Sequence, residues 1–156
     1  MFDVRRWFAA RARGNPRSPF ERGVAALDAH RPEAALELFA EVLALESDSA
    51  ARAAALNKRA VALIALERRA EANEALVEAL RENERCAPAL VNLGNLLLEG
   101  GDLAGAIERY HAAIRADPDY SGAHLNLAIA LKRSGQRAES VRHLRIARRL
   151  EVRRDA

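Results

Sequence analysis

Cysteine is almost absent from this sequence. Cys86 stands alone, so no intrachain disulfide can form and the thiol count gives no sign of an oxidising compartment. Aromatic residues are scarce at 4%, while half of the residues are apolar and alanine dominates. That combination excludes a β-sandwich core, which draws on Val, Ile, Tyr and Phe, and fits closely packed helices. Strand signals are missing as well: there are no alternating runs, no Asn-Gly hairpins and few β-branched clusters. The opening stretch MFDVRRWFAARARG is basic without a long apolar run, so neither a secretory signal nor a membrane span is expected, and the expected setting is cytoplasmic. Lysine is nearly missing too: of 25 basic residues only Lys58 and Lys132 are lysine, and this Ala/Arg bias suggests a GC-rich bacterial genome.

What is present is charge, unevenly placed. The net value is +3, yet Arg5, Arg6, Arg11, Arg13 and Arg17 crowd one end and Arg142, Arg145, Arg148, Arg149, Arg153 and Arg154 the other, leaving the middle acidic. Such ends can touch an anionic membrane surface or nucleic acid; solvated arginines at the ends of a helical array explain them as well.

The sequence also repeats. Shifted by 34 residues, the block 87–120 lies over 121–154: Leu90 meets His124, Asn92 meets Asn126, Leu97 meets Leu131, Gly101 meets Gly135, Ala106 meets Ser140 and Ala113 meets Ala147. The block 53–86 falls in the same frame through Leu56, Ala60, Leu63, Ala72, Leu76 and Ala79, and a copy at about 16–49 aligns three residues out of frame through Gly23, Ala26, Ala35, Phe39 and Val42. A fixed period of this size marks stacked supersecondary units. Within each, apolar residues such as Leu90, Leu93, Leu97 and Ile107, Tyr110, Ile114 recur at helical spacing, so each unit reads as two short amphipathic helices. The breaks fall at His30-Arg31-Pro32-Glu33, Gly100-Gly101-Asp102 and Ser134-Gly135-Gln136 within units, and at Asp117-Pro118 between units, where Pro is expected in a first helical turn.

This pattern resembles the tetratricopeptide repeat (TPR). Leu90, Leu93-Gly94, Leu97, Ala106, Tyr110, Ala113 and Pro118 match the family's motif, and the resemblance covers about residues 16–154, with departures at Arg59, Glu67 and Val152. It implies an all-α, right-handed α-α superhelical solenoid of about four helix-turn-helix units (16–49, 53–86, 87–120 and 121–154) behind a short basic N-terminal segment, residues 1–15.

In the glycine-dense stretch GNLLLEGGDLAG, residues 94–105, Gly94 is therefore expected at a close contact where a Cβ would hold helices apart, and Gly100 and Gly101 are punctuation rather than a phosphate loop. A phosphate loop needs a following Lys-Ser or Lys-Thr and a preceding strand, and neither is present. No catalytic constellation emerges. His30, His111, His124 and His143 show no metal-ligand spacing, with His111 and His143 expected near solvent and His124 packed. Cys86 lacks a matched base, and the carboxylates recur on exposed faces beside arginines. No enzyme activity, metal or cofactor is expected.

What the resemblance implies is a concave groove lined by the first helix of each unit, which binds a peptide or partner protein. Carried over unit by unit, the lining is Phe20, Glu21, Val24 and Leu27; Asn57, Lys58, Val61 and Ile64; Val91, Asn92, Asn95 and Leu98; and Leu125, Asn126, Ile129 and Lys132. Two readings of the asparagines stand side by side: they pair with a peptide backbone, or they bond neighbouring helices. Val91 stands where a carboxylate-binding groove of this family carries Lys, which argues against recognition of chaperone C-termini. Residues 1–13 suit a cap over the first unit, a docking segment, a membrane-surface helix or a tail. An uncapped last unit suggests self-association, and a role as accessory subunit of a separate enzyme is a further alternative.

Overall fold

The computed structural model describes residues 18–154, so the expected N-terminal helix lies outside the described residues. Eight helices and no strand occur among them: α1 (Pro19–Asp28), α2 (Pro32–Leu45), α3 (Ser49–Ala65), α4 (Arg69–Glu82), α5 (Ala87–Glu99), α6 (Leu103–Ala116), α7 (Ser121–Arg133) and α8 (Arg137–Arg154). They form four antiparallel pairs, α1–α2 through α7–α8, stacked in sequence order.

Local chemistry sets the helix ends. Ser18 and Glu21 form a reciprocal capping box at α1, with Glu21 N–H donating to Ser18 Oγ at 3.2 Å and Ser18 N–H to Glu21 Oε2 at 3.0 Å. Asp48 and Asp102 accept from the backbone N–H groups of Ala51 and Gly105, each at 2.8 Å, and so cap α3 and α6. All four turns within pairs close alike. The backbone N–H groups of Arg31, Arg68, Asp102 and Gln136 each donate to the carbonyl five residues back, at 2.8 to 2.9 Å. The residue before each of these donors is left-handed: His30 (φ 53°), Glu67 (φ 60°), Gly101 (φ 89°) and Gly135 (φ 84°). Glu67 thus takes the same turn as glycine despite its side chain. Pro118 sits in the α6–α7 linker, not in the first turn of α7, which begins at Ser121. The linkers between pairs also repeat: Asn83 Oδ1 accepts from Arg85 N–H and Asp117 Oδ1 from Asp119 N–H, both Asx turns.

The core is a set of three seams. One gathers Phe39, Ala26, Ala35 and Ala62. The next gathers Leu56, Leu63, Leu76 and Leu93, and the last Leu90, Tyr110, Leu127 and Leu131. Small residues let the helices approach within each pair. A Cβ added to Gly94 would meet the Tyr110 ring at 2.6 Å, and one on Gly23 would meet the Phe39 ring at 2.7 Å.

Neighbouring first helices touch (α1 with α3, α3 with α5, α5 with α7), whereas no two second helices pack together. An array whose first helices close up while its second helices fan apart curves toward the first helices. The concave face is therefore the α1, α3, α5, α7 layer.

Candidate functional site

The first helices repeat four positions, and the structure separates the one that builds the seam from the three that face the concave surface. Phe20, Asn57, Val91 and Leu125 share the first position. Val91, expected on the groove surface, is only 4% exposed and packs in the seam with Ala123 and Leu127. Asn57 is 5% exposed at the same place. The physical reason is that the next first helix covers this position on α3 and α5. Leu125 is 38% exposed because, among the described residues, no first helix follows α7. The other positions hold Lys58, Asn92 and Asn126; Val24, Val61, Asn95 and Ile129; and Lys132, all half-buried or exposed. Val24 is half-buried against the Phe39 seam, and Ile129 and Lys132 lie open on α7.

A cavity of about 380 Å³ opens among these positions, lined by Phe20, Ala54, Asn57, Lys58, Val61, Cys86, Pro88, Asn92 and Tyr120. It spans α1, α3, α5 and the linker ahead of α7. It brings together five of the expected residues: Phe20, Asn57, Lys58, Val61 and Asn92. Ala54, Cys86, Pro88 and Tyr120 escaped sequence reasoning. Three of these four lie at unit junctions, and their common register (Cys86 and Tyr120 are 34 residues apart) is the signal that could have found them. Burial raises the Cys86 thiol and the Tyr120 phenol above their ordinary values, so at neutral pH both are protonated, and Cys86 is a poor nucleophile.

The asparagines are engaged with one another. Asn92 Nδ2 donates to Asn57 Oδ1 at 2.8 Å, joining α5 to α3. Asn126 Nδ2 donates to Asn95 Oδ1 at 3.1 Å, joining α7 to α5, and Tyr110 O–H donates to the same oxygen at 2.8 Å. Burial pushes the Tyr110 phenol up to about 12, which keeps it a donor across the physiological range. The helix-bonding reading of the asparagines therefore has direct geometric support.

The histidines depart from expectation. His124 is buried as expected, but His143, expected near solvent, is half-buried and stacks on it, with ring centroids 5.2 Å apart. His111 of α6, also half-buried, meets the His143 ring edge to face at 6.3 Å. Burial, and then the neighbouring His124, hold His143 below the ordinary imidazole value. No group of three His, Cys, Asp or Glu side chains arranged to hold a metal ion occurs among the described residues, and none of the described helices is long and apolar enough to cross a membrane.

Stacked helix pairs with one concave face define a helical-repeat solenoid, the architecture of protein-interaction scaffolds. The sequence match to the tetratricopeptide repeat covers part of the chain. The family model described as TPR repeat matches residues 94–135, the segment from Gly94 through the Gly135 turn. Protein FlbA of Caulobacter vibrioides is 37% identical over 99 residues, which are 64% of this chain and 16% of that protein, so the chain spans about a sixth of the relative's length. The fold is similar to solved structures of MamA. One gives a TM-score of 0.69 at 24% identity, covering 94% of this chain and 85% of the other. MamA of Desulfovibrio magneticus RS-1, residue 41 to the end, gives 0.67 at 21% identity, covering 94% and 82%.

Proposed function

We propose that this protein is a non-enzymatic adaptor that takes an extended segment of a partner protein along its concave groove. The observation that carries this reading is the cavity bounded by Phe20, Lys58, Val61 and Tyr120, which joins apolar walls to one cation. Both lysines of the chain, Lys58 and Lys132, sit on first helices. The matching segment carries apolar anchors and an acidic residue. The reading sets the protein in the cytoplasm, where the single thiol stays reduced.

The test is capture of partners from the native host, followed by titration of the recovered segment against the parent and a Lys58→Glu/Val61→Asp variant with unchanged helicity. We expect at least a tenfold loss of affinity; equal affinity would overturn the groove. Substituting the asparagines is a poorer test, because it also removes bonds between helices. Salt separates this reading from docking of the arginine-rich ends on nucleic acid. Phosphate contacts weaken steeply as salt rises, whereas a largely apolar groove holds.

A second reading is self-association through the last unit. Leu125 and Ile129 of α7 and Val141, Leu144 and Val152 of α8 are exposed there, while Tyr110, at the repeat position of Leu144, is fully buried. A second copy covering this face would double the mass seen by light scattering as concentration rises; a constant monomer mass would exclude it.

A further inference from the structure

One core position has changed character along the array. Leu56 of α3 and Leu90 of α5 are buried in their seams, and the next residue in this register is His124 of α7, equally buried at 5% exposure. An ionisable ring thus stands where the second and third units place leucine. Such a ring is tolerated in a core only if its nitrogens are satisfied. Both are: His124 Nε2 lies 3.0 Å from the Pro118 carbonyl oxygen and Nδ1 lies 2.9 Å from Nδ1 of His143 on α8.

This geometry dictates the protons. A carbonyl only accepts, so Nε2 of His124 carries a hydrogen, and in the neutral ring Nδ1 is left as a bare lone pair. His143 must then donate from its own Nδ1, which leaves its Nε2 bare. A first proton can enter at His143 Nε2 and keep the bond, but it places a cation against buried His124, half-buried His111 of α6 and Arg142 of its own helix, with only Glu139 to favour it. A second proton has one place to go, Nδ1 of His124. Two N–H groups would then face each other and the contact between α7 and α8 would break.

We propose that the His124–His143 pair is a proton-sensitive clasp that holds α8 on α7 when neutral and releases α8 on acidification, leaving the first three units folded. The sign follows from where protons bind better. His143 in the folded chain sits below the ordinary imidazole value of about 6.5, so the unfolded chain binds protons more readily. The clasp contributes fully above that value, and its contribution is lost as pH falls below it. Because α7 carries Asn126, Ile129 and Lys132, release also loosens the last wall of the groove.

Amide hydrogen exchange of the full chain at pH 7.5 and 5.5, corrected for intrinsic rates, tests this. Protection in α8 should fall several-fold, while α3 to α6 hold. His124→Leu, which restores the residue of the second and third units, should abolish the fall. So should His143→Asn, whose amide occupies the Nδ1 position and can turn its oxygen toward a protonated His124. An α8 response that persists in both folded variants, or a uniform response along the whole chain, would overturn the clasp. Should the leucine variant fail to fold, the asparagine variant decides alone.

Discussion

At the scale of the residue, side-chain volume is conserved by exchange within each helix pair. Gly23 faces Phe39 and Gly94 faces Tyr110, and at the same register the second and fourth units carry Ala60 with Leu76 and Ala128 with Leu144. The larger partner goes with the smaller one because interiors are packed to crystal density and a methyl group is felt. Gly94→Ala should therefore cost about 1–3 kcal/mol by overpacking. Adding Tyr110→Leu, which copies the second unit, should recover part of that loss despite removing the bond to Asn95. Denaturant titration of both single variants and the double settles it, since additive losses would mean that the two positions do not share a site. Residue-level reasoning from sequence reached these glycines and the open positions of the groove. It misplaced Val91 because neighbouring residues on a helix differ by about 100° in direction. That rotation moves the side chain from the concave surface into the seam between α5 and α7, and only the crossing of two helices, which no single-helix pattern contains, reveals the difference.

At the scale of the element, the intra-unit turn is one device built four times, and two of its four left-handed positions are occupied by residues with a Cβ, His30 and Glu67. The left-handed conformation costs an L-residue roughly 1–2 kcal/mol. The added freedom of glycine in the unfolded chain cancels part of any gain from replacing it. Glu67→Gly and His30→Gly should each raise stability by about 0.5–1 kcal/mol on balance, read as a higher urea midpoint with an unchanged slope; a lower midpoint would show that the side chains hold these turns in place. The turn at His30 was read from sequence, whereas Glu67 stood out only as a departure from the glycine expected in the frame of Gly101 and Gly135. The linker at Pro118 was not legible. The motif places proline near a helix start, but Asp117 folds back on Asp119 N–H and delays α7 until Ser121, which frees the Pro118 carbonyl to meet His124.

At the scale of the whole molecule, stability must vary along the array, because each pair is held only by its neighbours. The helices of the middle units bury large side chains completely, among them Leu56, Leu63, Leu76 and Tyr110. They are further tied by Arg52, whose guanidinium pairs with Glu82 at 2.7 Å and donates to the carbonyl oxygens of Leu43 and Glu46. By contrast α8, the longest helix, buries only Ser140 and Ala147, and α1 only Gly23 and Ala26. The fourfold repeat was readable from sequence, but this gradient was not, since every unit carries nearly the same apolar pattern and burial depends on which faces receive a neighbour. Opening should therefore begin at the ends, with amide protection at neutral pH highest in α3 to α6 and lowest in α8 and α1. A polar anchor of α8 separate from the histidine pair, Ser140 Oγ donating to the Ala128 carbonyl at 2.7 Å, gives a way to move one end alone. Ser140→Ala should cost about 1 kcal/mol, lowering protection in α8 several-fold while α3 and α4 stay within error. If protection falls equally in all eight helices, the array opens as a single cooperative block, and contacts between neighbouring units dominate over the stability of each unit.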